Sequence, residues 1–178
     1  NEQKRLRHRA VYQRTLRGTI AVLLVVAAIS VLVATLWMPV LQIYGSSMSP
    51  TLEAGQIVVS VKTNQLKTGE VVAFWQGNKL LVKRVIAGPG QWVDIDMDGN
   101  VTVDGKELTE DYLDVKALGN CDVELPHQVE ESRWFLMGDN RDVSVDSRSA
   151  AIGDVSKDQI EGKIVFRIWP LKEFGSMQ

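Results

Sequence analysis

Hydrophobic and polar positions fall into two regimes along this chain. Between Gly18 and Leu52 no charged residue occurs, and residues 18–38 are Ile, Val, Leu and Ala with few interruptions. A helix over that stretch, at about 1.5 Å per residue, is roughly 30 Å long, the hydrocarbon thickness of a bilayer. The run has no polar face, so the pattern predicts a transmembrane helix over residues 18–41 and argues against a buried core helix. A cleaved secretory signal shares such an apolar core. The length of the run, and Trp37, Met38 and Pro39 standing where small residues would precede a cleavage site, favour an anchor.

Beyond the run the rhythm changes to short β-branched segments broken by turn residues. Residues 56–61, 71–75, 80–86, 101–103, 134–137 and 160–169 read as strands. Turns are marked by Lys67-Thr68-Gly69-Glu70, Gln76-Gly77-Asn78-Lys79, Gly88-Pro89-Gly90, Asp98-Gly99-Asn100 and Asp104-Gly105-Lys106. The expected fold class is mainly β: an antiparallel sheet domain over residues 42–178, preceded by one N-terminal transmembrane helix. Residues 94–131 are expected to form a small polar β insert, solvated and without a catalytic pattern.

Charge adds direction to this plan. The formal charge is −2, but residues 1–17 hold six basic side chains against Glu2, giving +5 there and −7 for the remainder. A basic run can signal nucleic acid, a solvated tail or a cytoplasmic membrane flank. The apolar run behind it selects the flank, so no nucleic-acid partner is expected. Residues 1–17 then form a basic cytoplasmic tail by the positive-inside rule, Trp37 suits an interfacial belt, and the β domain is extracytoplasmic. Cys121 is the lone cysteine and no Cys/His cluster exists, which excludes an intrachain disulfide and leaves a metal without ligands.

Candidate chemistry lies in the loop Gly45-Ser46-Ser47-Met48-Ser49-Pro50-Thr51-Leu52, directly after the apolar run. It reads either as an ordinary Ser/Pro turn or as the seat of a nucleophilic hydroxyl. Lys83 sits inside the apolar run 80–86, where a period of two puts it on one face with Leu81 and Val85. An amine held there either snorkels from an edge strand or is desolvated, and desolvation lowers its pKa toward that of a general base. A Ser-His-Asp triad is poorly supplied: His8 falls on the cytoplasmic side, and His127 lies in the polar segment Leu125-Pro126-His127-Gln128, expected to be a loop. Lysine is the better activator for Ser47, as Ser-Lys pairs follow the same logic.

Ser47-Met48-Ser49-Pro50-Thr51-Leu52, Lys83-Arg84-Val85 and residues 138–148 (GDNRDVSVDSR), with Gly69-Glu70-Val71-Val72, together resemble the bacterial type I signal peptidases, in family order and spacing behind an anchor. The short insert and the single anchor resemble the smaller, Gram-positive-like members. The resemblance covers nearly the whole chain. It implies a membrane-anchored serine endopeptidase that removes signal peptides from translocated preproteins after small residues, with no cofactor. The implied partners are preprotein signal peptides, the lipid bilayer and the protein-export translocon. By motif, Ser47 corresponds to the nucleophile and Lys83 to the general base. Ser144 resembles the serine that orients the lysine amine. Asp146 and Arg148 match the acid and base holding that loop against the site, and Asp139 and Arg141 help to shape it. Ile43, Met48, Leu52 and Val82 are implied to line the pockets for small substrate side chains. Two departures stand out: Gly45 occupies the position where some relatives carry an oxyanion-hole serine, and Ser149-Ala150-Ala151-Ile152 separates Arg148 from Gly153. The rivals are a LexA-like Ser-Lys autoprotease, which would carry a DNA-binding domain in place of the span, and an inactive anchored β domain that binds peptides without turnover.

Overall fold

The computed structural model describes residues 2–63 and 65–177, with side chains from Tyr12 onward. The chain divides into two compact units, residues 1–39 and 40–178. The first is a single helix, α1 (Glu2–Trp37). Its segment Tyr12–Trp37 contains an 18-residue stretch of mean hydropathy 2.8 and no buried side chain, and is long and apolar enough to cross a membrane. The hydroxyls inside it bond back to their own helix: Thr19 Oγ1 to the Thr15 carbonyl at 3.0 Å, Ser30 Oγ to Val26 at 2.8 Å and Thr35 Oγ1 to Leu32 at 2.9 Å. Such back-bonding satisfies these three hydroxyls within the helix itself. The helix begins well before residue 18, taking in the basic stretch, and ends at Trp37. Residues 40 and 41, expected inside the span, are instead in a strand.

That strand, β1 (Val40–Gln42), opens the second unit and pairs antiparallel with β2 (Ile57–Val61). Next come β3 (Val71–Gln76) and β4 (Lys79–Ala87), a hairpin turning through Gly77 at φ +60°. The insert supplies β5 (Trp92–Ile95), β6 (Val101–Val103), β7 (Lys106–Glu107) and β8 (His127–Gln128). The chain then returns through β9 (Arg133–Met137) and β10 (Val155–Ser156), and closes with β11 (Ile160–Trp169) and β12 (Gly175–Ser176). The main sheet runs β1-β2-β11-β3-β4-β9-β10, with β12 on β11, and the insert sheet runs β7-β6-β5-β8. Every pairing is antiparallel.

The period of two sorts the strands' side chains into separate cores. Val71 and Ala73 of β3, with Leu80 and Val82 of β4, pack with Ile43, Met48, Leu52, Val58 and Ile164. Val72 and Phe74, with Leu81 and Val85, pack with Trp134, Leu136 and Val155. A third core seats the insert on the far end of β4 and on β9, through Ile86, Ala87, Phe135 and Met137 against Val93, Ile95, Val101 and Val103. Burial of these side chains at roughly 25 cal/mol per Å² is what fixes β4 between the sheet and the insert. The insert therefore shares a core with the sheet and is not a free solvated subdomain. His127, expected in a loop, lies on β8, and its ring nitrogen Nε2 is 3.0 Å from Asp154.

Candidate active site

The loop after β1 is pinned at both ends. Ile43 donates to the Gln56 carbonyl at 2.8 Å and accepts from the Gly55 N–H at 2.9 Å, and Leu52 N–H closes a turn onto the Met48 carbonyl at 2.9 Å. Met48 and Leu52 drive into the core below, which leaves Ser47 half-buried on the outer side of the turn. Ser49 is committed elsewhere, its Oγ donating to Glu53 at 2.5 Å. The Ser47 N–H meets no acceptor among the described residues. A cavity of about 550 Å³ opens beside it, lined by Ile43, Tyr44, Ser47, Met48, Trp75 and Val82 among others. Of the four implied pocket residues, Ile43, Met48 and Val82 line this cavity. Leu52 does not: it is fully buried beneath the loop, against the apolar core.

Lys83 lies on β4 opposite Val72 and is 3 % exposed. Its amine makes no ion pair and no hydrogen bond with a described residue. Burial pushes its pKa from 10.5 down to about 8; Asp146 pulls it up, Arg148 adds to the lowering and Asp139 pulls it up again. Desolvation wins because the carboxylates that would hold the ammonium are already occupied by guanidinium groups.

Those carboxylates belong to the loop after β9. Arg148 holds Asp146 in a two-pronged pair, Nε to Oδ1 and Nη2 to Oδ2, each at 2.9 Å, with both side chains fully buried. Asp146 Oδ2 also accepts the Gly138 N–H at 2.9 Å. Burial raises the Asp146 pKa, but the hydrogen bonds and charge of Arg148 and the Gly138 donor outweigh it, and the group stays below the usual carboxylate range. Ser144 Oγ is buried, outside strict hydrogen-bond geometry to any described residue, yet near enough to Asp146 that its hydroxyl helps to lower that carboxyl's pKa. It packs on Gly138 so closely that a Cβ there would stand 2.1 Å from Ser144 Oγ and 2.5 Å from the Ser47 carbonyl oxygen. Asn140 N–H donates to that same Ser47 carbonyl at 3.1 Å. Gly138 is thus the point where the two loops touch, and only a missing side chain permits it.

A second clamp ties the serine loop to β4. Arg84 donates from Nε to Asp139 Oδ1 at 2.8 Å, from Nη2 to Thr51 Oγ1 at 3.1 Å and from Nη1 to the Gly69 carbonyl at 2.7 Å. Thr51 Oγ1 in turn donates to Asp139 at 2.5 Å. Arg84, Thr51 and Gly69 lie in the quoted motifs, but spacing alone does not show that they meet. Arg141, expected to shape the loop, donates from Nε to the Gly138 carbonyl at 3.1 Å and pairs with Glu110 of the insert, a residue that sequence reasoning missed. The structure therefore gathers Ser47, Ser144, Asp139, Arg141, Asp146 and Arg148 around Gly138, and sets Lys83 where Asp146, Arg148 and Asp139 act on its charge. His127 takes no part.

Taken together, these features define an antiparallel β domain behind an apolar helix, with a hydroxyl at a cavity and a desolvated amine in the adjoining strand. The chain belongs to the signal peptidase, peptidase S26 family, which matches residues 16–169. It is 39% identical over 153 residues to signal peptidase IB of Staphylococcus aureus (strain COL), covering 74% of this chain and 78% of that protein. It is 32% identical over 169 residues to signal peptidase I of Bacillus licheniformis, covering 86% and 88% respectively. A crystal structure of a signal peptidase I from Enterococcus faecalis V583 aligns at 25% identity and a TM-score of 0.47, over 57% of this chain and 98% of that one.

Proposed function

We propose that this membrane-anchored serine endopeptidase cleaves signal peptides from preproteins with Ser47 as nucleophile and Lys83 as general base. The observation that carries this reading is the buried Lys83 amine without a side-chain partner, its pKa lowered to about 8, since a base works best with a pKa near the operating pH. Neutral Lys83 accepts the Ser47 proton as Oγ attacks the scissile carbonyl, then returns it to the leaving amine. A water deprotonated by the same amine hydrolyses the acyl-enzyme. The unengaged Ser47 N–H is one oxyanion donor. Ser144, buried beside the Asp146 carboxylate, orients the amine, and the Asp146–Arg148 pair with Asp139 and Arg141 fixes the loop that carries it.

Substrate selection fits the cavity. Between Lys79 and Lys83, β4 has β3 on one side and no strand on the other, because β9 pairs only from Arg84 onward. An extended peptide adds there as a strand, which recognises backbone irrespective of sequence. Ile43, Met48 and Val82 would then admit only small side chains at the first and third positions before the cut. Ser47 follows Trp37 by ten positions, a tether of at most about 35 Å of extended chain between the end of the helix and the hydroxyl. The basic N-terminus sets the orientation, with that end cytoplasmic, the β domain outside the cytoplasmic membrane, and the export translocon as its neighbour.

The test is cleavage of a preprotein with an Ala-x-Ala site by the full chain in detergent or liposomes. Ser47→Ala and Lys83→Ala are each expected to abolish it, whereas Ser46→Ala and His127→Ala keep most of it. Retained activity in either of the first two sinks the dyad.

A further inference from the structure

Between β7 and β8 the insert runs for residues 108–126 without helix or strand. Leu108, Leu118, Val123 and Leu125 peg this strap to the core shared with β4 and β9. Its polar groups turn the other way, onto the three buried arginines of the site. Glu110, whose side chain is fully buried, pairs with Arg141. Tyr112 OH donates to Glu110 Oε1 at 2.8 Å, and its ring lies 3.8 Å beneath the Arg84 guanidinium. The Leu118 carbonyl accepts Arg148 Nη1 at 2.6 Å. Gly119 is pressed in so tightly, at φ +62°, that a Cβ would stand 2.3 Å from the Arg141 carbonyl oxygen and 2.6 Å from Arg148 Nη1.

We propose that Glu110 is a positioning residue for cleavage: it anchors Arg141, whose Nε holds the Gly138 carbonyl and with it the contact between Ser144 and the Ser47 loop. The inference rests on the Ser47–Lys83 reading. The geometry supports it because Arg141 has two jobs, Glu110 at one end and Gly138 at the other, and both side chains are shut off from water. Taking the carboxylate away leaves a buried guanidinium without its counter-charge, which then draws toward water and takes the Gly138 backbone with it. Tyr112 is held as a donor to Glu110, since burial and the Glu110 charge push its phenol well above the ordinary range.

Glu110→Gln keeps the shape and removes the charge. Measured on the full chain in detergent, per folded molecule, it is expected to lower kcat at least tenfold while KM stays within about twofold, because the peptide-binding edge of β4 is untouched. The acidic limb of its pH profile is expected to move upward, toward the ordinary lysine value, as a loosened Gly138 loop readmits water around Lys83. Loss of folded protein alone lowers the rate without moving that limb. A wild-type kcat, or a lowered kcat with an unmoved limb, overturns the proposal. Should Glu110→Gln fail to fold, Glu110→Asp decides: it keeps the charge but, one methylene shorter, draws Arg141 away from the Gly138 carbonyl. An upward-shifted limb supports the proposal and a wild-type profile overturns it. Failure of the dyad itself is read separately, as cleavage retained by Ser47→Ala.

Discussion

Keeping Lys83 neutral-leaning inside the domain stores a definite free energy, and Lys83→Met should release it. Methionine keeps an apolar stem of similar reach and removes the amine. A pKa brought from 10.5 to about 8 means that the folded state disfavours the ammonium by about 3 kcal/mol. The sign follows from proton linkage. Between the two values the unfolded chain binds more protons at Lys83 than the folded one, so this group's contribution makes stability rise with pH. Below about pH 8 the full penalty is present, and above about 10.5 it vanishes. Lys83→Met should therefore be dead as an enzyme yet more stable than the parent by about 3 kcal/mol near pH 6.5, the gain shrinking to about 1 kcal/mol near pH 9.5. Denaturant unfolding of both full-length chains in the same detergent, followed by tryptophan fluorescence at the two pH values, measures it. Equal stabilities near pH 6.5, or a difference that does not vary with pH, would refute the idea that desolvation depresses the lysine.

Other tests probe its surroundings. In the wild type, the acidic limb of kcat/KM is expected near pH 8 in place of the ordinary lysine value, and Asp146→Asn should move it lower, since the carboxylate raises the Lys83 pKa and its loss also frees the Arg148 charge. An unmoved limb counts against electrostatic contact between them. Gly138→Ala puts a methyl 2.1 Å from Ser144 Oγ and 2.5 Å from the Ser47 carbonyl; the latter is backbone and cannot swing aside. A displacement of that size should lower kcat by about 10²-fold. Cleavage within a few-fold of wild type would show that the two loops need not touch.

How much of this was legible in the sequence depends on the range over which each signal acts. The strand period put Lys83 on the Leu81/Val85 face, and β4 has that parity, with Leu81 and Val85 in one core and Val82 in another. The apolar run announced a helix but not its end: Val40 and Leu41 are as hydrophobic as the span, and only pairing with Val59 and Val58 makes them a strand. The resemblance drew Leu52 into the substrate pocket, yet a leucine that closes a turn onto Met48 faces the core below it.

What stayed hidden was the wiring among buried charges. Glu110 and Tyr112 stand in a polar stretch with no periodicity, and nothing local distinguishes them from solvated side chains. Their meaning comes from Arg141 and Arg84, 31 residues onward and 28 back in the chain, and a buried ion pair leaves no pattern at such separations. Composition did carry one usable constraint. The motif loop and its neighbour place Arg84, Arg141 and Arg148 among apolar strands, and guanidinium groups that cannot deprotonate must find acceptors if buried. Asp139 and Asp146 supply two, within the same motif. The motif holds a third carboxylate, Asp142, but it is exposed, and the partner of Arg141 is Glu110 of the acidic insert. Three arginines match three motif carboxylates by count, so the role of the insert becomes visible only once the fold turns Asp142 to solvent and buries Glu110 against Arg141.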